Sequence, residues 1–461
     1  MESGLIFKCV NGHEFLMSDF QDINPLYQCP DCEHSSLFLE CDPMPRESNL
    51  FLERHSFWEY MEGLIPSHLI KNQISLGEGD TPLIRSRSAN GIRGGDVYFK
   101  DEAINPTNSY RDRAAALLVS HALSCGSKTL FSASDGNMGA SIAAYAAGTT
   151  LSCKIYSARG MDVGKKSQIL AFGAILLEKH SDMNEAIRRC LKEQIMEDGY
   201  QATAELNPFS MLAQNTIAFE VIASGMVPEE VYVPTGNGGT LFSIWQGFQI
   251  LKEIGSIDKV PRMIAARITE KSPTKIIPLK ESTEYSQRDL LEHAIGESGG
   301  IMIDVTEHEI SEAISKLART EGLFVEPASA AAFAAMEKHG PGKTSLIILT
   351  GSGLKAPIVI ETIANKDNFY TASKFQKKMN LRIRILEQLD NIGDSGLHGY
   401  GIYRNLKNYC SKQAVYQHLK KLEEKAFIVN YELDESGRKL YNITKQGKEV
   451  LALLKKLIEL L

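Results

Sequence analysis

The sequence has few cysteines and no long apolar run. Eight cysteines among 461 residues are too few for the disulfide scaffold that small secreted proteins use to compensate for a small core. No stretch approaches the roughly 18 consecutive apolar residues of a membrane-spanning helix, and the first residues lack the basic and apolar regions of a signal peptide. We therefore expect a cytoplasmic protein that does not bind membranes.

The sequence also lacks a strong net charge. Its 50 Lys and Arg oppose 57 Asp and Glu, and the net charge of -7 argues against a chain devoted wholly to nucleic acid. Residues 374–461, however, hold 17 basic and 10 acidic residues, whereas the rest of the chain holds 33 and 47. The length suits roughly two to four folded units, and this contrast predicts a separate basic domain at residues 375–461.

Three of the cysteines crowd with a histidine into the first 32 residues. Two short turns, each flanked by thiol or imidazole groups, are typical of tetrahedral zinc, and four protein ligands leave no open position for chemistry. We predict a zinc-ribbon-like segment at residues 1–45 with a structural zinc ion. Its predicted ligands are Cys9, His13, Cys29 and Cys32. Because the Cys-x3-His spacing is less specific for zinc than the Cys-x2-Cys spacing, Cys41 or His34 could replace His13 as the fourth ligand.

From about residue 46 to residue 370, short β-branched or apolar segments alternate with longer, Ala-rich helical patterns. This alternation favours an α/β fold, in which helices cover both faces of a parallel sheet. Ligands of such sheets bind beyond the carboxyl ends of the strands. The predicted strands are residues 97–100, 129–132, 152–156, 174–177, 230–234, 263–266 and 345–350.

Four polar turns lie beside these predicted strands and helices. Residues 234–240 (PTGNGGT) are rich in glycine, which allows backbone N–H groups to point inward at a helix N-terminus and hold a phosphate. Residues 132–139 offer a hydroxyl, an amide side chain and N–H groups that could hold a carboxylate. Residues 105–113 precede an Ala-rich helix, and residues 349–353 follow a late strand. Four such turns together predict a ligand-binding site.

Five segments in chain order resemble threonine synthase and its relatives among the fold-type II pyridoxal-phosphate enzymes. They read NPTNSYRDRAA, SASDGNMGAS, VPTGNGGTL, EPASAAAFAA and LTGSGLKAP, and the resemblance covers about residues 5–360. Archaeal-type threonine synthases also carry a zinc-ribbon-like segment similar to residues 1–45. The resemblance implies a domain at residues 46–370 with two subdomains, each built on a parallel sheet, as in the tryptophan synthase β subunit. It also implies pyridoxal phosphate as the cofactor.

The resemblance assigns roles to individual residues. Asn137 would bond the pyridine hydroxyl, and Thr350 would face the ring nitrogen. Ser134 and Gly136 would help to bind a substrate carboxylate. The cofactor phosphate would lie against Gly236, Asn237, Gly238, Gly239 and Thr240.

One position departs from the family pattern. The family has a Ser-Phe-Lys-Asp-Arg-like run whose lysine forms the Schiff base, whereas residues 109–113 read Ser-Tyr-Arg-Asp-Arg. A guanidinium stays protonated, with a pKa above about 12, and has no comparable nucleophilic nitrogen. We therefore expect Arg111 to hold an anionic group electrostatically, so that the cofactor would be bound noncovalently. Lysines 100, 165 and 166 are the nearby amines, but the family has lysines at similar places that do not carry the cofactor.

The basic C-terminal segment predicts a winged helix-turn-helix: three helices, a two-stranded hairpin and a closing amphipathic helix. The segments LHGYGIY, SKQAVYQHLKKLE and GRKLYNITKQG resemble PadR-type winged-helix regulators over residues 381–456. Ser411 is suited to cap the second helix of the turn, whose exposed polar side chains could reach base edges or phosphates. The predicted DNA-binding residues are Lys412, Gln413, Gln417, Lys420, Arg438 and Lys439.

The same domain could instead serve only dimerisation, with its lysines solvated. Val450, Leu453, Leu454, Leu457 and Leu461 repeat at helical spacing and predict a dimer or packing stripe. We expect a homodimer whose two modules read a two-fold DNA site.

Together these patterns favour a ligand-responsive transcriptional regulator. Its threonine synthase-like domain would have lost the catalytic lysine and would sense a small amino-acid-related or phosphorylated ligand. The alternative is an active pyridoxal-phosphate lyase of the threonine synthase type, which would convert O-phosphohomoserine to threonine and phosphate and carry a regulatory tail. A third hypothesis is a pseudoenzyme that regulates an active paralogue.

Overall fold

A computed structural model of the chain describes residues 4–16, 27–32, 36–42, 49–88, 95–268, 279, 284–357, 381–406, 411–433 and 438–459. The chain forms two compact units, Met1–Ala364 and Asn365–Leu461. The first contains a small antiparallel sheet, a parallel sheet and a larger sheet that is parallel except at one edge strand, and the second contains a three-stranded antiparallel sheet with helices. The boundary at residue 45 remains a prediction, because the N-terminal sheet belongs to the first unit.

The N-terminal sheet has three antiparallel strands in the order β2–β1–β3. Alternate residues of β1, Leu5 and Phe7, belong to the core of the first unit. The ring centroids of Phe38 and Phe242 lie 4.9 Å apart, and Gln246 Nε2 donates to the Leu39 carbonyl over 2.8 Å. The sheet therefore packs directly on the larger domain. Its strands are β1 (Gly4–Lys8), β2 (Glu14–Leu16) and β3 (Phe38–Asp42).

The larger of the two central sheets has six strands in the order β12–β11–β10–β13–β5–β4. All neighbours are parallel except β4 and β5. The inner strands are apolar and buried on both faces, as expected where helices cover both sides of a parallel sheet. The strands are β4 (Leu83–Arg85), β5 (Asp96–Asp101), β10 (Glu230–Pro234), β11 (Arg262–Ile268), β12 (Ile301–Val305) and β13 (Thr344–Leu349).

The smaller central sheet has four parallel strands in the order β8–β7–β6–β9. Its outer strand β8 has no buried residue before its last, which is consistent with a position at the sheet edge. The strands are β6 (Thr129–Ala133), β7 (Ser152–Ala158), β8 (Ile175–His180) and β9 (Tyr200–Gln201).

The helices of the first unit fall into two kinds. Ala-rich helices such as α2, α3 and α11 are buried on nearly every side, because small side chains allow close packing against the sheets. Others, such as α5 and α10, are amphipathic and begin at side-chain caps, Asp182 and Thr306. The helices are α1 (Phe57–Glu62), α2 (Arg111–Ser124), α3 (Asn137–Ala146), α4 (Val163–Ala171), α5 (Met183–Met196), α6 (Phe209–Gln214), α7 (Thr216–Ala223), α8 (Gly239–Glu253), α9 (Arg288–Ser298), α10 (Glu307–Lys316) and α11 (Pro327–His339).

The two parallel sheets confirm the predicted α/β class. All seven predicted strands are present, with ends within three residues of the prediction. Strands β4, β9 and β12 were not among them, because β4 and β9 are very short and β12 mixes exposed and half-buried residues. Among the described residues, no helix is long and apolar enough to cross a membrane.

The second unit has the winged-helix order of elements. Its helices are α12 (381–392), α13 (Gly399–Leu406), α14 (Lys412–Glu424) and α15 (Lys445–Glu459). Its strands are β14 (Leu397–His398), β15 (Ile428–Leu433) and β16 (Arg438–Ile443), in the order β14–β16–β15. A core that includes Leu386, Ile402, Val415 and Leu419 holds these elements together. The predicted turn at residues 434–437 lies outside the described residues.

Candidate functional site

A cavity of about 440 Å³ lies where strands of both parallel sheets end. Residues just beyond β7, β10 and β13 line it, as do the first residues of helices α2, α3 and α8. Helix N-termini carry partial positive charge and free N–H groups, so this wall suits an anion. The cavity occupies the place where parallel α/β sheets bind ligands.

The glycine-rich turn before α8 forms one wall. Residues 234–241 all line the cavity, and α8 begins at Gly239. Gly238 has a φ of +104°, and a Cβ there would lie 2.6 Å from the Leu291 Cβ, so only glycine fits. A Cβ on Gly239 would collide with the Gln287 side chain. The N–H groups of the first turn of α8 have no partner within the helix, so the turn can hold a phosphate.

A hydrogen-bonded group of polar side chains forms another part of the wall. Asn137 Nδ2 donates to both carboxylate oxygens of Glu326, over 3.1 and 3.0 Å. The hydroxyls of Thr350 and Ser329 lie 2.9 Å apart, and Thr350 Oγ1 is 3.5 Å from Glu326 Oε1. Asn137, Glu326 and Thr350 all line the cavity. The structure thus brings two predicted cofactor residues together with a carboxylate that the sequence did not single out.

Arg111 is the first residue of α2 and also lines the cavity. Its guanidinium carbon lies 4.8 Å from the centre of the Tyr110 ring, and the Tyr110 hydroxyl is 2.9 Å from Thr240 Oγ1 in the glycine-rich turn. Burial lowers the pKa of Arg111, but Tyr110 and the carboxylates of Glu205, Asp135 and Glu326 raise it more. Within the described part of the chain, no carboxylate lies within ion-pair distance of this guanidinium. It therefore remains available to an anionic ligand.

Ser134 and Gly136, the predicted carboxylate-binding residues, lie beside the cavity without lining it. The Ser134 hydroxyl accepts from the N–H groups of both Gly136 and Gly139, over 3.0 Å each. Asp135, between them, does line the cavity. The carboxylate-binding role of this turn remains a prediction.

The three lysines near the predicted site differ in availability. Lys100 is buried and ion-paired with Glu220 at 2.6 Å, and Lys166 is ion-paired with Glu178 at 2.6 Å. Lys165 is 6 % exposed, its stem packs against Gly136, and its Nζ lies 3.9 Å from a Glu326 carboxylate oxygen. Of the three, Lys165 alone contacts a residue of the cavity wall.

Lys355 predicts a measurable pH effect on stability. Its Nζ donates to the Thr107 carbonyl over 2.6 Å and to Gln168 Oε1 over 2.7 Å, and burial lowers its pKa from 10.5 to about 8. Between pH 8 and 10.5 the unfolded lysine binds a proton that the folded one has lost, so stability rises with pH. The expected rise is up to about 3 kcal/mol. Buried cysteines whose pKa is raised to about 12, such as Cys153 and Cys190, lower the stability over the same range. The rise should therefore appear as the difference between wild type and Lys355→Met in urea unfolding, followed by fluorescence of Trp58 and Trp245, which both lie in the first unit.

The Lys355→Met variant is the control for this prediction. Ionisation of tyrosines and cysteines affects wild type and variant alike, so the difference between their unfolding free energies isolates Lys355. A difference that stays constant from pH 8 to 10.5 would show that Lys355 has an ordinary pKa in the folded protein.

The predicted metal ligands meet at the N-terminal sheet. The ligand atoms of Cys9, His13, Cys29 and Cys32 all lie within 4.8 Å of one another. Distances of 3.8 Å from Cys9 Sγ to Cys32 Sγ and 3.5 Å from Cys9 Sγ to His13 Nδ1 suit a tetrahedron with bonds of about 2.3 Å to sulfur. Cys41 lies elsewhere, since its thiol donates to the Leu64 carbonyl over 2.9 Å. His34 lies outside the described residues. The cluster could hold a metal, and zinc is our proposal for it.

Loss of one cysteine of this cluster should release the metal. Cys29→Ser should reduce bound zinc from about one equivalent to below a tenth, because a hydroxyl replaces a thiolate ligand. Cys41→Ser is the matched control, since it changes a buried cysteine outside the cluster and should retain the metal. Plasma emission spectrometry of the purified proteins measures both, and equal zinc contents would contradict the assignment.

In the second unit, the predicted recognition residues share one face of α14. Lys412, Gln413, Gln417 and Lys420 line a shallow, open depression with Tyr416. Ser411 caps the helix, accepting from the Ala414 N–H over 3.3 Å. The Lys412 ammonium lies 5.5 Å from the centre of the Tyr400 ring. Lys439 is exposed on β16, where Arg438 is the first residue. Leu453 of the predicted stripe on α15 is exposed, whereas the neighbouring Leu451 is buried.

Four acidic residues of the cavity wall are not among those predicted from sequence: Asp135, Asp182, Glu205 and Glu326. Asp135 and Glu326 lie inside two of the five segments that resemble the family, so position within those segments was the available signal. Glu205 follows β9 without a local pattern. Its pKa is raised, chiefly by burial, although Arg111 and a hydrogen bond from Asn237 lower it.

Comparisons with known proteins agree with this geometry. Residues 74–351 match the family described as pyridoxal-phosphate dependent enzyme, and residues 386–453 match the transcriptional regulator PadR-like family. Threonine synthase of Methanocaldococcus jannaschii is 32% identical over 365 residues, which cover 72% of this chain and 87% of that protein. Threonine synthase of Methanosarcina acetivorans is 29% identical over 388 residues, which cover 76% and 92%.

Among solved structures, an O-acetylserine dependent cystathionine beta-synthase from Helicobacter pylori is similar at a TM-score of 0.52. It is 21% identical, and the match covers 60% of this chain and 94% of that one. This likeness confirms the predicted fold-type II architecture and shows the fold alone. The chain belongs to the pyridoxal-phosphate dependent enzyme family, with threonine synthases among its relatives, and it carries a PadR-like domain at its C-terminal end.

Proposed function

We propose that the protein is a ligand-responsive transcriptional regulator. Its threonine synthase-like domain senses a small phosphorylated or amino-acid-related ligand, and its PadR-like domain binds DNA. The observation that carries this proposal is that Arg111 lines the cavity. By the resemblance of residues 109–113 to the family pattern, it would take the place of the Schiff-base lysine. A cavity that keeps its ligand-binding walls but lacks the reactive amine suits binding better than turnover.

Pyridoxal phosphate, or a ligand related to it, fits the residues present. The glycine-rich turn at residues 236–240 would hold the phosphate, and Asn137 and Thr350, which line the same cavity, would contact the ring. When bound to a lysine, this cofactor acts as an electron sink for bonds at the α carbon of an amino acid. Here Arg111 would hold an anionic group of the ligand without forming a covalent bond.

The second unit supports the regulatory part of the proposal. Lysine and glutamine side chains on the exposed face of α14 can contact phosphates and base edges, and the balance of +7 over residues 374–461 attracts DNA. We further propose that the protein acts as a homodimer, so that two copies of α14 read the halves of a two-fold site.

A DNA-shift assay with the full chain tests the proposal. DNA from upstream of the protein's own gene and of neighbouring genes is titrated across salt concentrations, with and without pyridoxal phosphate, threonine and O-phosphohomoserine. We expect specific DNA binding that persists at salt concentrations that screen the phosphate contacts. The DNA affinity should change at least about fivefold when one of the ligands is added. Absence of specific binding at moderate salt under every condition would defeat the regulator proposal.

Lys165 favours a second candidate function, an active lyase of the threonine synthase type. It is the lysine that contacts the cavity wall through Glu326. If it replaced the missing amine, the purified protein would release phosphate from O-phosphohomoserine and form threonine. Loss of that activity in Lys165→Met, with normal unfolding, would establish this function instead.

A further inference from the structure

The shallow depression on α14 includes one residue that was not among the predicted DNA contacts. Lys412, Gln413, Gln417 and Lys420 are polar, whereas the fifth lining residue, Tyr416, carries an aromatic ring. From Gln413 onward these residues recur at i, i+3, i+4 and i+7, a spacing that places them on one side of a helix. Tyr416 therefore lies in the middle of the face that we assign to DNA, with a lysine at each end.

Packing of the domain core does not require an aromatic ring at this position. Val415, Leu419 and Leu422 of the same helix belong to the core of the second unit and are at most 2 % exposed. Tyr416 is 40 % exposed on the other side of the helix. Its exposed ring carbons are unfavourably placed in water, and an apolar group of a partner would cover them.

The start of α13 holds the Tyr416 ring in a defined orientation. A Cβ on Gly399 would lie 3.0 Å from Tyr416 Cε1 and 3.1 Å from the hydroxyl oxygen, so a glycine is needed for the ring to lie this close to the backbone. The hydroxyl end of the ring is thus directed at α13. A contact between Tyr416 and DNA is therefore made more readily by the exposed ring carbons than by the hydroxyl.

Duplex DNA offers few apolar groups to such a ring. A recognition helix lies in the major groove, where the base edges present hydrogen-bond donors and acceptors and the C5 methyl of thymine is the main apolar group. Lys412 and Lys420 at the two ends of the face suit phosphates, which would hold Tyr416 close to the base edges. The side-chain amides of Gln413 and Gln417 suit adenine, the partner of thymine.

We propose that Tyr416 is a specificity-determining residue, which recognises the C5 methyl group of a thymine through its ring carbons. This inference rests on the proposed function, since it names the base group that the same DNA-binding face selects. The contact removes one methyl group and part of the ring from water. A DNA site without this methyl group therefore binds less tightly, although its hydrogen-bonding edges are unchanged.

Replacement of thymine by deoxyuridine tests the proposal, because it removes only the methyl group. The probe is a duplex that the full chain selects from a random-sequence pool, and its thymines are replaced one at a time. In fluorescence anisotropy, at least one replacement should weaken wild-type binding about fourfold, which is the effect of burying one methyl group. In Tyr416→Ala the same replacement should change the affinity less than about 1.5-fold, because the methyl group then has no ring to contact.

Two variants serve as controls for Tyr416→Ala. Tyr416→Phe keeps the ring carbons and should retain the fourfold effect of the methyl group. Tyr431 is 51 % exposed on β15 and does not line the depression, so Tyr431→Ala should retain the effect as well. Loss of the effect in Tyr416→Phe would show that the hydroxyl makes the contact, and loss in Tyr431→Ala would show that the effect is not specific to Tyr416. Either result would overturn the inference.

The remaining outcomes separate the inference from the proposed function. A wild-type protein that is insensitive to every replacement, or a sensitivity that persists in Tyr416→Ala, would overturn the inference and leave a DNA-binding regulator intact. If the full chain selects no duplex from the pool, the DNA-binding part of the proposed function fails together with the inference. Should Tyr416→Ala not fold, Tyr416→Gln takes its place, since it also removes the ring and suits a helix.

Discussion

An Arg111→Lys variant should acquire a covalent pyridoxyl group that the wild-type protein lacks. After incubation with pyridoxal phosphate and reduction with borohydride, we expect near-complete labelling of the peptide that contains position 111 and less than a tenth as much in wild type. Only an unprotonated nitrogen can attack the aldehyde. Because the pKa of arginine is about 3 units above that of lysine, the neutral fraction of arginine is roughly a thousandfold smaller. Peptide mass spectrometry locates the label, and absorption spectra report the imine before reduction.

The side chain at position 111 is suitably placed for this experiment. It begins α2, lines the cavity and has no carboxylate within ion-pair distance among the described residues, so a lysine there would not be held away by an ion pair. Arg111→Met is the matched control, since it removes the charge without adding an amine and should stay unlabelled. Label on Lys165 of the wild-type protein would instead support the lyase, and an unlabelled Arg111→Lys variant would argue against an aldehyde-binding cavity.

The parallel sheets could be predicted because burial leaves a strong pattern. Strands such as β10 and β13 are buried on both faces, so they read as short apolar runs between helical segments. β12 has a single fully buried residue, Val305, and its sequence pattern does not predict a strand. β12 is held in place by its parallel pairing with β11. The sequence pattern of a single segment cannot predict such a pairing.

The candidate site could be predicted in part for a similar reason. Turns of glycine, asparagine and threonine at strand ends indicated Asn137, Thr350 and residues 236–240, all of which line the cavity. Glu205 and Glu326 could not be assigned, because their role depends on which side chains the fold places opposite them. The same limit applies to Ser134, a hydroxyl that suits a ligand but accepts from the N–H groups of Gly136 and Gly139.

Removal of two lysines from α14 should weaken DNA binding and its salt dependence together. In Lys412→Ala/Lys420→Ala we expect specific affinity to fall about tenfold to a hundredfold at moderate salt. Each phosphate contact contributes about 0.9 to the slope of log K against log salt, so the slope should decrease by about 2. Fluorescence anisotropy with a labelled site at four or five salt concentrations measures both quantities.

Lys421 provides the matched control on the same helix. It is exposed and does not line the depression on α14. It lies about half a turn around the helix from Lys412, at the border of the face next to Gln417. Lys421→Ala changes the net charge of the domain by one without altering that face, so its slope should stay within about 0.3 of wild type. If Lys421→Ala and the single variant Lys412→Ala lose DNA affinity equally, the charge of the domain alone determines affinity, and the face of α14 does not. A double variant with wild-type affinity and slope would show that Lys412 and Lys420 make no DNA contacts, which contradicts the assignment of α14 as the recognition helix.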